Sequence, residues 1–131
     1  MFLITGMVND TIQDEAQNLI NAIIEGIQRK KGLEIVNIDL GKLNYTECDN
    51  FIICHGNSNT HVEAIANSVE ETVLELQNEL VWHSDGYKNA QWILLDYANV
   101  MVHIFQEPFR RLYDLEGLWA DGNIYNIDSS T

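Results

Sequence analysis

The chain has 131 residues, and its 20 acidic against 7 basic residues give a formal net charge of −13. This length suits one domain with its own core, and no apolar run reaches the ~20 residues that a membrane helix needs. Phosphate backbones and anionic lipid repel such a charge, so direct binding to nucleic acid or to a membrane is disfavoured and a basic protein partner is favoured. Solubility alone would also explain the acidic excess.

The cysteines and the first residues indicate a cytoplasmic protein. Cys48 and Cys54 fit neither a metal-binding spacing nor a redox pair. If both lie on one strand, their side chains face the same way but are too far apart to form a disulfide with each other. We therefore expect both to be reduced core residues. Met1–Met7 is apolar but lacks a basic start, which is not typical of a secretory signal.

Two long helices are predicted from apolar residues at helical spacing. The first is Asn9–Lys31, with Asp10 or Thr11 as its cap and Gly32 as a left-handed stop. Gly26, near its end, weakens the helix or lets another element approach closely.

The second predicted helix is Thr60–Leu80. Thr60 and Glu63 match a capping box, in which each side chain satisfies a free backbone donor. Its expected buried face continues through Leu76 and Leu80.

Several runs favour β-structure because they are rich in β-branched and aromatic residues. The predicted strands are Leu33–Leu40, Asp49–His55, a short Val81–Trp82, Trp92–Asp96 and Val100–Phe105. The near-continuous apolar character of Asp49–His55 is typical of a central strand. Pro108 then suits the first turn of a short helix over Phe109–Leu115.

This order of elements predicts an α/β fold with a single mixed β-sheet and helices packed on it. The predicted organisation is an N-terminal tail over residues 1–9, one domain over residues 10–121, and a flexible C-terminal tail over residues 122–131.

Catalytic and metal-binding patterns are weak. The segment Gly56–Thr60 lies before a helix N-terminus, where phosphate can bind, but it has no P-loop lysine and helix capping explains it. Asp96 is the sole carboxylate on its strand, whereas a two-metal clamp needs several. None of the four histidines, His55, His61, His83 and His103, forms a pair with zinc spacing, and His103 is expected to be satisfied within the sheet. The sequence therefore predicts no catalytic residue, metal or cofactor.

Trp92, Asp96, Tyr97 and Asn99 form the most interesting group. Trp92 and Asp96 share one strand face, while Tyr97 lies across from them or on the turn. These residues can be core aromatics and a turn residue. A large aromatic at the turn end of a strand is also typical of an interface anchor.

Arg110 and Arg111 are two of the few basic residues. They are predicted to pair with acidic residues of the same short helix, namely Glu107, Asp114 or Glu116. A partner contact for Arg111 is the alternative.

The pattern W-I-L-L-D-Y-x-x-V-x-V-H-I-F over residues 92–105, followed by R-x-x-Y-D-L-E-x-L-W over residues 110–119, resembles the ribosomal silencing factor S family, also called Iojap-like. Further matches lie in Cys48–Cys54 and Ser58–Ala66. The resemblance covers roughly Asp10 to Asp121, and the order and spacing of several uncommon residues make it specific.

The resemblance implies a nucleotidyltransferase-like fold without the enzyme chemistry. It also implies binding to the large ribosomal subunit, through its universal protein number fourteen, which blocks joining of the small subunit and represses translation when nutrients are scarce. The partner-binding residues it implies are Trp92, Asp96, Tyr97 and Asn99, so Trp92→Ala and Tyr97→Ala are expected to abolish binding without unfolding the domain.

The turn departs from the family pattern, which carries Gly-Asp where this chain has Ala98-Asn99. Asn99 can adopt the left-handed conformation and serve the turn, although one acidic contact is lost. Two other functions stay open: a divergent nucleotide-binding or nucleotidyltransferase-like enzyme, and a homodimeric scaffold that self-pairs through exposed sheet edges.

Overall fold

The structure, a computed structural model, describes residues 2–41, 43 and 48–127, with side chains from residue 15 onward. Its elements in chain order are α1 (Phe2–Arg29), β1 (Leu33–Asp39), β2 (Asn50–Gly56), α2 (Asn59–Gln77), β3 (His83–Asp85), β4 (Trp92–Asp96), β5 (Val100–Gln106), α3 (Glu107–Tyr113), α4 (Leu115–Leu118) and β6 (Asn123–Asn126). The strands form one sheet in the order β3-β4-β5-β2-β1-β6. Strands β2 and β5 run parallel, and the other neighbours run antiparallel, so the predicted mixed sheet is confirmed.

Strand β2 lies inside the sheet, as its apolar run predicts. Its side chains alternate between two separate hydrophobic clusters: Ile52 and Cys54 pack into one, Phe51 and Ile53 into the other. Because both sheet faces are covered, a strand between two neighbours needs apolar residues on both sides.

Helices α1 and α2 pack on one face of the sheet, which we call the helical face. At Gly26 the two helices come so close that an added Cβ would lie 2.7 Å from Cα of Val69. The hydroxyl of Ser68 donates to the carbonyl oxygen of Gly26 at 2.7 Å. The close approach predicted at Gly26 is therefore confirmed.

The opposite face carries Phe51, Trp92, His103 and Phe105, and we call it the aromatic face. The short helices α3 and α4 partly cover it, and Phe109, Leu115 and Trp119 pack against its cluster. Within the described part of the chain, no helix has the length and apolar character needed to cross a bilayer.

The ends of α1 differ from the prediction. The helix begins at Phe2 and not at Asn9, so most of the predicted N-terminal tail is helical. Asp10 and Thr11 are therefore interior positions of the helix and not its cap. At its other end Lys31 takes the left-handed conformation (φ 56°) that was expected of Gly32. The N–H of Gly32 then donates back to the carbonyl oxygen of Ile27 at 3.0 Å, which closes the helix.

The capping box predicted at Thr60 is wrong, because α2 begins one residue earlier. Ser58 is the cap, and its hydroxyl accepts a hydrogen bond from the N–H of His61 at 3.1 Å. The helix ends at Gln77, since Asn78 turns into the left-handed conformation. Leu80 lies beyond this end and is 74% exposed, and Leu76 in the last turn is also exposed, so neither is buried as predicted.

The predicted flexible C-terminal tail is wrong for Asn123–Asn126. These residues form β6, which pairs antiparallel with β1 from Val36 to Asp39. The outer edge of β1 offers backbone N–H and C=O groups that need partners, and the backbone of β6 pairs with them. The four β6 residues are all exposed, so the strand forms without burying an apolar face. Residues 128–131 of the predicted tail and much of the 41–46 connection lie outside the described residues.

Candidate functional site

Trp92 lies at the start of β4 on the aromatic face, surrounded by other rings. It stacks on Phe105, its cross-strand neighbour, with ring centroids 4.9 Å apart and planes at 25°. Tyr113 of α3 packs at 4.9 Å from it, at a steeper angle of 44°. The indole remains partly exposed, so it closes the aromatic cluster and also faces solvent.

The indole N–H has a specific partner. Nε1 of Trp92 donates to Nδ1 of His103 at 3.1 Å. His103 is buried, and burial lowers its pKa to about 4. The ring is therefore neutral at physiological pH and can accept the bond. The expectation of a histidine satisfied in the sheet is confirmed at Nδ1, whereas Nε2 has no hydrogen-bond partner among the described residues.

Two shallow depressions adjoin the indole. One, about 220 Å³, is lined by Asp85, Gly86, Trp92 and Leu94. The other, about 130 Å³, lies towards α3 and includes Trp92, Phe109 and Tyr113. Gly86 borders both, with φ +95°, and an added Cβ would lie 2.0 Å from the carbonyl oxygen of Trp92. Only glycine lets the β3–β4 loop pass this closely.

The β4–β5 turn carries the other three residues predicted for the site. Asp96 is buried on the same strand face as Trp92, as predicted, and its Oδ1 accepts from the N–H of Ala98 at 2.7 Å. The left-handed residue of the turn is Ala98 (φ 70°) and not Asn99. Asn99 is exposed, while its carbonyl oxygen accepts from the N–H groups of Asp49 and Asn50 at 2.8 and 3.2 Å.

Tyr97 does not join Trp92. It is only 4% exposed and packs in the cluster beneath α1 and α2, on the helical face. Its hydroxyl has no hydrogen-bond partner among the described residues. The predicted group is thus divided: Trp92 and Asp96 face one side, Asn99 lies at the turn, and Tyr97 is a core residue.

The arginine pair is also divided. Arg110 pairs with Glu116, one of the predicted partners, through Nε and Nη2 at 3.1 and 3.2 Å, although Glu116 lies on α4 and not on the same helix. Arg111 instead reaches Glu34 of β1 at 2.8 Å, a partner 77 positions away that local spacing could not indicate. The sequence also did not show that Arg110 is buried, 2% exposed, where it helps to hold α3 against the sheet.

The segment Gly56–Thr60 uses its polar groups locally. The N–H of Asn57 donates to Nδ1 of His61 at 3.0 Å, and Ser58 caps the helix. On the other side of the ring, Nε2 of His61 lies 2.7 Å from the carbonyl oxygen of Lys30. Capping and packing account for these residues. Across the described ranges, no group of three or more His, Cys, Asp or Glu residues is arranged to hold a metal ion.

Both cysteines are buried, as predicted, but they face opposite sides of the sheet. Cys48 precedes β2 and does not follow its alternation, so the prediction of a shared direction is wrong. Burial raises the pKa of both thiols, that of Cys54 to about 12. Such thiols are poor nucleophiles, because the thiolate is disfavoured.

Residues 13–131 match the family described as "Ribosomal silencing factor during starvation". The ribosomal silencing factor RsfS of Halalkalibacterium halodurans is 34% identical over 112 residues, which cover 86% of this chain and 94% of that protein. A solved structure of a protein from Chromobacterium violaceum superposes with a TM-score of 0.74 at 29% identity, covering 88% of this chain and 95% of the other.

A more distant relative is the mouse protein named "Mitochondrial assembly of ribosomal large subunit protein 1", 25% identical over 77% of this chain and 45% of that protein. The family match covers most of the chain, and the named bacterial relative is similar along nearly its whole length. The chain therefore belongs to the family of ribosomal silencing factors.

Proposed function

We propose that this protein binds the large ribosomal subunit through its aromatic face, with Trp92 as the anchor, and hinders joining of the small subunit. Translation would then fall when nutrients are scarce, without any covalent chemistry by the protein. On the large subunit, we propose that Trp92 contacts universal ribosomal protein number fourteen.

The observation that carries the proposal is the position of Trp92. A large aromatic side chain stays partly exposed at the sheet surface, between two depressions, in a chain of this family. Rigid aromatic side chains that can be buried on binding are frequent interface anchors, because they bring a large apolar area at a low entropic cost.

Charge supports a basic protein partner. Asp85 lines the larger depression beside Trp92, and the whole chain carries a net charge of −13. Acidic surfaces attract basic ribosomal proteins and accelerate encounter, although they are repelled by naked ribosomal RNA.

The test is co-sedimentation with salt-washed large subunits, small subunits and assembled ribosomes. We expect binding to large subunits only, and a lower yield of assembled ribosomes when both subunits are mixed in its presence. Trp92→Ala should lose most of this binding. The matched control is Tyr125→Ala, which removes an exposed aromatic on β6, at the far edge of the sheet.

Equal binding by Trp92→Ala and the parent would contradict the site, and full subunit joining would contradict the function. Thermal stabilisation by ATP or CTP with magnesium would instead favour the enzyme alternative. Tyr97→Ala is not a suitable binding variant, because removal of a core side chain is expected to unfold the domain.

A further inference from the structure

Trp92 and His103 are joined diagonally across β4 and β5. Trp92 pairs with Phe105 in the strand register, and His103 lies opposite Leu94. The indole Nε1 nevertheless reaches Nδ1 of His103 at 3.1 Å, with the ring centroids 5.8 Å apart. Such diagonal contacts are within reach of aromatic side chains on one sheet face.

The acceptor is rigid and its protonation state is defined. An indole N–H is only a donor, so Nδ1 of His103 must accept and the proton must lie on Nε2. The imidazole is buried and meets Phe51 edge to face, with centroids 4.8 Å apart and planes at 72°. It therefore presents one fixed lone pair to Trp92.

Ring packing alone leaves the indole an alternative orientation. The second side-chain torsion of tryptophan has a broad, roughly two-fold preference, and stacking on Phe105 does not by itself distinguish one side of the indole from the other. The hydrogen bond separates the two orientations, because a flipped indole turns its N–H away from His103.

We propose that His103 is a positioning residue, whose Nδ1 selects the orientation in which the Trp92 indole meets the binding partner. This inference rests on the proposed function, since Trp92 must contact the large subunit. Preorganisation of an anchor side chain lowers the entropic cost of binding, and its loss is expected to weaken binding roughly tenfold.

The variants differ in whether they retain an acceptor. His103→Phe keeps a ring in the aromatic cluster but removes Nδ1, whereas His103→Asn offers an amide oxygen close to the same position. We expect His103→Phe to shift the ¹⁵N–¹H signal of the Trp92 indole and to weaken large-subunit binding roughly tenfold. His103→Asn should keep the indole signal and the large-subunit affinity close to those of the parent. The chain has three tryptophans, so Trp92→Phe assigns the signal.

A double-mutant cycle tests whether His103 acts through Trp92. In the Trp92→Phe background, we expect His103→Phe to change binding no further. If His103 had a purely structural role, His103→Phe would weaken large-subunit binding equally in both backgrounds, and that result would overturn the inference. The inference would also be overturned if Trp92→Phe bound large subunits as tightly as the parent. Thermal unfolding of each variant establishes that it is folded.

The two proposals fail in different ways. If the parent binds large subunits while the indole signal is unchanged in His103→Phe, the positioning role alone is overturned. If the parent does not bind large subunits at all, the proposed function is overturned, and the positioning role with it, whatever the spectra show.

Discussion

Nη1 of Arg110 lies 3.0 Å from Nδ1 of His55, so α3 on the aromatic face is tied to the central strand β2 by two buried side chains. The same nitrogen donates to the carbonyl oxygen of Leu33 at 3.3 Å, and the rest of the guanidinium holds Glu116. One side chain thereby connects α3 and α4 to β1 and β2. Burial and this positive charge both lower the pKa of His55.

Arg110→Met is expected to lower the free energy of unfolding by about 3 kcal/mol, because it leaves several polar groups beneath α3 without their partner. Urea unfolding measures the change. Arg111→Met is the matched control: its pair with Glu34 is exposed on both sides, so the loss should stay below about 1 kcal/mol. Equal losses from the two variants would contradict the anchoring role of Arg110.

Tyr97→Phe is expected to raise stability by about 1 kcal/mol, since it removes a buried hydroxyl that has no hydrogen-bond partner among the described residues. Tyr87→Phe is the control with the opposite sign, because the Tyr87 hydroxyl donates to Oε2 of Glu70. The measurement is the urea midpoint of each variant. A loss of stability in Tyr97→Phe would indicate a partner for the hydroxyl.

Ala98→Gly should stabilise the domain by about 1 kcal/mol, because Ala98 holds the left-handed conformation, which disfavours any residue with a Cβ. The same change at Ala64, within α2, should instead lower stability by about 1 kcal/mol. Thermal melting of the two variants against the parent tests the contrast. A destabilised Ala98→Gly protein would show that the turn tolerates alanine without strain.

Stability should fall as the pH decreases from about 6.5 to 4. Burial holds the pKa of His103 at about 4, below its ordinary value of 6.5. Between these two pH values the unfolded chain therefore binds a proton at His103 and the folded protein does not. At about 1.4 kcal/mol for each tenfold difference in proton affinity, His103 contributes roughly 3 kcal/mol to this fall. Urea unfolding at several pH values should show a smaller decrease for His103→Phe than for the parent. The same decrease in both would place the effect on other groups.

Strands that carry a strong local pattern could be predicted well. The bounds of β4 agree with the prediction, and β2 is central as its apolar run indicated. Strand β6 could not be predicted, because its four residues are all exposed and show no alternation of buried and exposed side chains. It is a strand because it pairs with the free edge of β1.

The candidate site could be predicted only as far as strand parity allows. Parity places Trp92 and Asp96 on one face and Tyr97 on the other, and the structure agrees. The Trp92–His103 bond joins neighbouring strands diagonally, and the Arg111–Glu34 pair joins residues 77 positions apart. Contacts of this kind depend on register and tertiary packing, which no local pattern in a single sequence contains.

The pairing of β1 with β6 has a consequence for synthesis. β1 precedes every other described strand in the chain, whereas β6, which covers its outer edge, follows all the others. The parallel partner of β2 also follows only after a long intervening helix and hairpin. A nascent chain therefore cannot complete this sheet until Asn123–Asn126 have left the ribosome, and because these strand pairings join residues far apart in the chain, we expect folding to be slow.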